Sequence, residues 1–309
     1  MIEKKRVIAL GFFDGIHIGH AALMKRISEV SEKTGLIPSV ITFDTHPQSI
    51  ITKKTIPLIN SPEDRIGLIR RKFGIEDIIF LHFDKTTVSM SWDKFIHHLI
   101  NEFGARHLVA GDDFRFGHNG EGTSQLLAKI CKEAAIGCDI IPDVKHNNII
   151  CSSTYIRDLL TKGDIEQANN FLGHPHVLTD VVRYGYKLGR TLGTPTVNMR
   201  FSPGVLIPAF GVYATKVYIE DENKTEETDL LTGVTNIGIR PTVDDTDHIT
   251  AETHILNYQR NLYGHKIRIE FCKRLRPEIK FNNINDLKTQ IRKDCESTMN
   301  YFDKSDPIC

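Results

Sequence analysis

The stretch GFFDGIHIGH, Gly11 to His20, puts two histidines three residues apart among three glycines and one aspartate. It follows the apolar run Val7–Leu10 and precedes HAALMKRISEV, which has helical spacing. Gly11, Gly15 and Gly19 let the backbone turn tightly and approach a ligand closely. A helix that starts there offers free N–H groups and the positive end of its dipole, which suits an anion. His17 and His20 add side-chain donors for phosphate oxygens. Asp14 does not favour a phosphate directly; it suits orienting a histidine or helping to hold a metal. Taken alone, H-x-x-H more often marks a strand–turn–helix junction with surface histidines, and no third ligand at convincing spacing supports zinc.

Two more stretches raise the same chemistry. In CSSTYIRDLL, Ser152, Ser153 and Thr154 offer hydroxyls and N–H groups at a helix start, and Arg157 follows one turn later. Alone this is a good N-cap. GYKLGRTLGTPTVN, residues 185–198, has Gly185, Gly189 and Gly193, then Pro195 ahead of Thr196 and Asn198. A glycine-rich turn can form an anion nest from its backbone N–H groups. Thr196 and Asn198 are two apart and share a face of a strand. A hydroxyl and an amide carbonyl suit magnesium, though a polar β-turn explains the local pattern equally well. No Gly-Lys-Ser/Thr follows, so this is not a Walker A loop. In ITAETHILNY the candidate base is Glu252, with Ala251, Thr253 and Ile255 on the opposite face. A carboxylate on the inner face of a small barrel is costly unless used or paired. A solvent-facing strand glutamate is the simpler alternative.

The elements that must position these residues differ between the halves. Up to residue 172, the short apolar runs RVIALG, IPSVITF, DIIFLHF, RHLVAG and CDIIP alternate with helical patterns. SPEDRIGLIRRKFG has Ser61 as N-cap, Pro62 at the first helical position and Gly74 as a stop; SWDKFIHHLINEFG runs from Ser91 to Gly104. Trp92 reads as a packing residue at that helix start. Such alternation gives a parallel sheet covered by helices, with ligands at the carboxyl ends of the strands. After about residue 180 the period becomes two, in GVYATKVYIE, LLTGVTNIG, ITAETHILNY and HKIRIEFCKRL. The end, NDLKTQIRKDCESTMNYF, is helical, with Leu287, Ile291, Cys295 and Met299 on one stripe. The expected organisation is a nucleotide-binding domain over 1–172, a joining segment at 173–182 and a small antiparallel barrel with a terminal helix over 183–309.

With 309 residues, the chain is comfortable for two domains. Lys+Arg and Asp+Glu are both 39, which argues against a large electrostatic footprint for nucleic acid. The start shows no signal-peptide pattern, and no run approaches the roughly 20 apolar residues of a membrane span. The six scattered cysteines contain no C-x-x-C and read as reduced thiols of a cytoplasmic protein. No nucleic-acid or membrane partner is expected, and the oligomeric state is left open.

In combination, the HxGH stretch and the later serine-rich loop resemble the nucleotidyltransferase superfamily. GFFDGIHIGH, VITFDTHP, LVAGDDFRFGHNGEG and CSSTYIR more closely resemble the FAD synthetase half of bacterial bifunctional riboflavin kinase/FAD synthetases. Phe12 stands where that family commonly has asparagine. GRTLGTPTVN, GVYAT, GVTNIGIRPT, ETHILNY, LYG and LRPEIKF resemble its riboflavin kinase module, in order, over residues 183–281. The resemblance implies a Rossmann-like nucleotidyltransferase domain followed by a six-stranded, Greek-key-like barrel. It implies that riboflavin is phosphorylated by ATP to FMN, and FMN is adenylylated to FAD with release of pyrophosphate. Gly11, Phe12, Asp14, His17, Gly19 and His20 would then meet the ATP phosphates, with Ser152, Ser153, Thr154 and Arg157 closing from the other side. Thr45, His46, Pro47, Asp113 and Phe114 would lie along the flavin or nucleotide side. In the second half, Gly185, Gly189, Arg190, Thr191 and Gly193 would hold ATP, Thr196 and Asn198 magnesium, and Glu252 would be the base.

Overall fold

In the computed structural model, the described residues are 4–46, 49, 54–82, 89–184, 194–220, 230–240 and 248–304. The chain divides into two compact units, 1–58 with 65–153 and 59–64 with 154–309.

Five parallel strands form the sheet of the first unit: β1 (Arg6–Leu10), β2 (Ile37–Phe43), β3 (Asp77–Leu81), β4 (Ala105–Gly111) and β5 (Gly137–Ile141). Their order is β3-β2-β1-β4-β5, and every neighbouring pair is parallel. Val7 to Leu10 are all buried, which explains why β1 reads as a continuous apolar run with no alternation. Helix α1 (Ile18–Thr34) buries Leu23, Met24, Ile27 and Val30. Helix α2 (Pro62–Phe73) starts where Ser61 Oγ accepts the Asp64 N–H at 3.0 Å, the expected cap. Helix α3 (Trp92–Asn101) has Ser91 at its N-cap and buries Phe95, Ile96 and Leu99; Trp92 packs at the rim of the same core. Helix α4 (Ser124–Glu133) follows a Thr123 cap, Thr123 Oγ1 accepting from the Leu126 N–H.

Helix α5 (Ser153–Lys162) starts at the division between the units, and α6 (Ile165–Leu172) leads into the barrel. Six antiparallel strands follow: β6 (His176–Val181), β7 (Val197–Arg200), β8 (Gly211–Glu220), β9 (Leu231–Arg240), β10 (His248–Ile255) and β11 (Lys266–Arg276). They lie in the order β6-β11-β8-β9-β10-β7. A bridge between Arg183 and Asn198 and an Arg200 N–H donated to Asp180 bring the two end strands together, so the barrel is nearly closed. Inside it, Thr215, Thr235 and Thr253 are fully buried and join hydroxyl to hydroxyl at 2.9 and 2.8 Å across β8, β9 and β10.

Residues 173–182, expected as a joining segment, instead carry β6. Its first four residues are buried on both faces, because α6 covers the side away from the barrel. The period of two is therefore hidden in the sequence. Asn169 ties the layers, donating to Phe271 O and accepting the His176 N–H, both at 2.8 Å. The terminal helix α7 (Ile284–Lys304) also departs from the expected stripe. Met299 is exposed, while Asp294 and Thr298 are buried. Asp294 is drawn inward by Arg276, which grips it through Nε and Nη2 at 2.7–3.1 Å.

His176 makes the barrel acid-sensitive. It is fully buried beside Phe271, and both ring nitrogens lack a partner among the described residues. Burial, with His174 adding to it, lowers its pKa from 6.5 to about 3. The unfolded chain therefore takes up the proton first. Stability from this group is whole above pH 6.5 and is lost as pH falls towards 3. The expected loss is about 1.4 kcal/mol by pH 5.5. Urea midpoints of wild type and His176→Phe at pH 7.5 and 5.5 test this: the variant should lose less stability, and equal losses contradict it.

Candidate active sites

In the first unit, the chain leaving β1 turns through three residues with positive φ: Phe13 (56°), Gly15 (84°) and Ile16 (43°). A β-branched residue there is a true outlier, and burial of Phe13 and Ile16 holds it in place. A larger residue at Gly11 would have to displace the buried Phe13 ring, because an added Cβ would lie 2.8 Å from it. His17 is the N-cap of α1, its Nδ1 accepting the His20 N–H at 3.3 Å. This leaves the His17 proton on Nε2. The His17 and His20 rings stack with centroids 3.5 Å apart, and His20 Nδ1 is buried without a partner among the described residues. Burial first, then His17 and Arg65, hold the His20 pKa well below the usual imidazole range. His20 is thus a neutral ring with one N–H to give.

The second stretch meets the first. The Ser153 hydroxyl donates to Asp14 O at 2.9 Å, and the Cys151 thiol lies against the N–H groups of Ile18 and Gly19. Burial pushes that thiol up, and the two N–H groups pull the other way. Asp14 is buried at 1% exposure and Ser152 half-buried. Thr154 and Arg157 lie further along α5, in the second unit; Thr154 is exposed and Arg157 half-buried. Thr45 is exposed after β2, and the His46 ring meets Phe12 edge-on at 4.6 Å. Pro47 lies outside the described residues. Asp113 is exposed after β4, and Phe114 stacks on Phe116 at the rim of the core.

One residue of this region was read only as part of a helix. Arg65, in the first turns of α2, is fully buried. Its Nη1 donates to Phe12 O at 2.9 Å and to Thr42 Oγ1 and Phe43 O at 3.1 Å. The signal was present: Arg65, Leu68 and Ile69 fall on one stripe, and the other two are buried apolar residues.

In the second unit, pairing sets a row of side chains across four strands. Asn198 of β7 faces Glu252 of β10, Glu252 faces Asn236 of β9, and Asn236 faces Val212 of β8. The expectation that Glu252 lies on the inner face of the barrel is corrected here. Ala251, Thr253 and Ile255 are the buried, inward residues; Glu252 is half-buried on the outer face, which α7 covers. The reason is the register, since a side chain's face is fixed by which residues pair. Glu252, Asn236 and Glu278 line a cavity of about 330 Å³ that Leu287 and Ile291 of α7 also line. An added Cβ on Gly238 would lie 2.0 Å from Glu278 Oε1 and 3.2 Å from Asn236 Nδ2, so these two groups sit close over that glycine. Thr196 and His254 line this cavity and also a second one of about 570 Å³, which Asn198, Arg260 and Tyr263 reach. His254 Nδ1 lies 2.9 Å from Pro195 O and ties that segment to β10. Gly185, Gly189, Arg190, Thr191 and Gly193 lie outside the described residues. Asn236 and Glu278 lie within GVTNIGIRPT and LRPEIKF, but no short-range spacing ties either of them to Glu252.

Among the described residues, no metal-binding cluster of His, Cys, Asp or Glu occurs, the cysteines are free, and no helix is long and apolar enough to cross a membrane.

Comparison with known proteins matches both halves of the chain. The FAD synthetase family matches residues 1–155 and the riboflavin kinase family residues 172–302. A bifunctional riboflavin kinase/FMN adenylyltransferase of Bacillus subtilis is 35% identical, covering 97% of this chain and 93% of its own. The Escherichia coli K12 protein of the same name is 31% identical, covering 97% and 94%. A Streptococcus pneumoniae crystal structure, described as a macrolide-efflux protein, superposes with a TM-score of 0.83 at 27% identity over 97% of this chain and 95% of that one. The two matched families, arranged in order as in relatives matched over nearly their full length, settle the assignment: the chain belongs to the bifunctional riboflavin kinase/FMN adenylyltransferase family.

Proposed function

We propose that the cavity beside Glu252 takes riboflavin for phosphorylation, and that the glycine turn before α1 holds the phosphates of ATP for adenylyl transfer. The protein is a riboflavin kinase and an FMN adenylyltransferase, making FMN from riboflavin and FAD from FMN. The observation that carries the residue assignment is the cross-strand row Asn198–Glu252–Asn236, which sets one carboxylate between two carboxamides at a cavity wall.

In the kinase reaction, Glu252 accepts the proton of the ribityl 5′-hydroxyl as its oxygen attacks the γ-phosphorus of ATP and ADP leaves. Asn198 and Asn236 flank the carboxylate, and Leu287 and Ile291 of α7 line the same cavity. Thr196 and Asn198 offer hard oxygen donors, which fit magnesium; bound there, the ion would supply charge neutralisation to the phosphates. Gly185, Gly189, Arg190, Thr191 and Gly193 are assigned to the same phosphates on the family pattern.

In the adenylyl transfer, an FMN phosphate oxygen attacks the α-phosphorus of ATP and pyrophosphate leaves. No covalent enzyme intermediate is needed, so the protein aligns the reactants and balances the moving charge. His17 Nε2 and the single ring N–H of His20 are assigned to this task, with the positive end of the α1 dipole behind them and Gly11, Phe12, Asp14 and Gly19 shaping the turn. Ser152, Ser153, Thr154 and Arg157 are assigned to the phosphates, and Thr45, His46, Pro47, Asp113 and Phe114 to the flavin or nucleotide side.

A chromatographic time course with riboflavin, ATP and magnesium, beside a run started from FMN, tests the reading. FMN followed by FAD is expected. FMN without FAD in either run would contradict the adenylyl-transfer site, and FAD only from added FMN would contradict the kinase site.

A further inference from the structure

Arg65 has no part in either site as assigned. Among the described residues it heads the fully buried side chains in size, and it is charged. Burial lowers its pKa to about 10, against the pull of Asp14, so it is a cation at neutral pH. Its hydrogen bonds all go to one place: the carboxyl end of β2, at Thr42 Oγ1 and Phe43 O, and the first residue of the turn after Gly11, at Phe12 O. Thr42 Oγ1 itself donates to Phe12 O at 2.8 Å. The guanidinium carbon lies 4.5 Å from the centre of the Phe12 ring, whose other neighbour is His46, and 5.8 Å from that of Phe80 on β3. One cation thus holds together the ends of β1, β2 and β3, where a parallel sheet binds its ligands.

Its remaining groups, Nε and Nη2, are buried without a partner among the described residues. A buried cation with incomplete pairing is costly. An apolar residue on this stripe would fill the space without that cost. Asp14 offsets part of that cost, and the two unpaired donor groups leave the cation able to answer further negative charge beside it.

We propose that Arg65 is a positioning residue for adenylyl transfer: its buried cation clamps the Phe12 turn to the strand end that carries Thr45 and His46, and sets a positive field beneath the phosphates. The proposal rests on the assignment of the His17–His20 turn to ATP. Phe12 completes the clamp. Its ring gives the guanidinium an aromatic face, and the cation holds the ring against His46.

The test uses full-length Arg65→Gln and Arg65→Lys, with His20→Ala beside them. Riboflavin phosphorylation in the same preparations reports folding. Arg65→Gln should lower kcat for FAD formation at least 20-fold, leave KM for ATP within threefold and leave FMN formation within twofold. Arg65→Lys, which keeps a cation with three donors, should stay within fivefold of wild type in FAD formation. The proposal is overturned by a glutamine variant with kcat within threefold of wild type. It is equally overturned by parallel loss of both activities with no rescue by lysine, or by an effect confined to KM. If the glutamine variant does not fold, the lysine variant decides alone: wild-type FMN formation with FAD formation lost would overturn the proposal, and both activities retained would support it. Wild-type FAD formation in His20→Ala would instead defeat the assignment of the turn, whatever the Arg65 variants do.

Discussion

Glu252→Gln is expected to remove riboflavin phosphorylation almost entirely while leaving FAD formation from added FMN unchanged. The substitution keeps the shape of the side chain and its place between Asn198 and Asn236. It removes only the ability to accept a proton. General-base assistance contributes roughly 10²- to 10⁴-fold, and the kinase rate should fall within that range. Stability should change little, because Glu252 is half-buried and stands outside the packed interior formed by Ala251, Thr253 and Ile255. The measurement is initial FMN production from riboflavin, with FAD production from FMN as the internal control. A kinase rate within twofold of wild type would remove Glu252 from the base role. Equal loss of both products would point to a folding defect, which a thermal scan would reveal.

His20→Ala should have the opposite signature. FAD formation is expected to fall by about 10²-fold or more, the scale for losing one preorganised donor to a developing charge. FMN formation should stay within twofold. The neutral state of His20 sharpens the expectation. Burial and its two cationic or protonatable neighbours depress its pKa, so its proton is in place as a neutral N–H through the physiological range. FAD formation should therefore show no acid-side loss near pH 6.5 attributable to this ring. His17→Ala is a less clean probe. His17 caps α1, and its removal adds a helix penalty of about 1 kcal/mol to any loss of phosphate contact. Equal loss of FMN and FAD in a folded His20→Ala protein would contradict two separate sites.

Much of the framework was legible because it is local. Ser61 and Ser91 stand at helix starts, Gly11 precedes a tight turn, and the apolar runs from Val7 to Leu10 and Val40 to Phe43 are strands. Each depends on neighbours within a few residues. β6 was missed because burial on both faces erased its alternation. Met299 was placed on the packed stripe by spacing alone, and the Arg276–Asp294 pair shows why spacing misled: an ion pair can draw an aspartate inward where an apolar residue was expected. Asn236 became visible only when β9 paired with β10 and set it beside Glu252.

The sequence by itself determined the two-part organisation, the glycine turn with its two histidines, and the family that these motifs mark. Those features follow from periodicity, capping and short-range spacing. The tertiary structure alone decided that Ser153 reaches Asp14, 139 residues away, that Glu252 faces the cavity under α7, and that Arg65 is buried beneath Phe12. Strand register and helix docking join residues far apart in the chain, and no local pattern encodes which partner each side chain will meet.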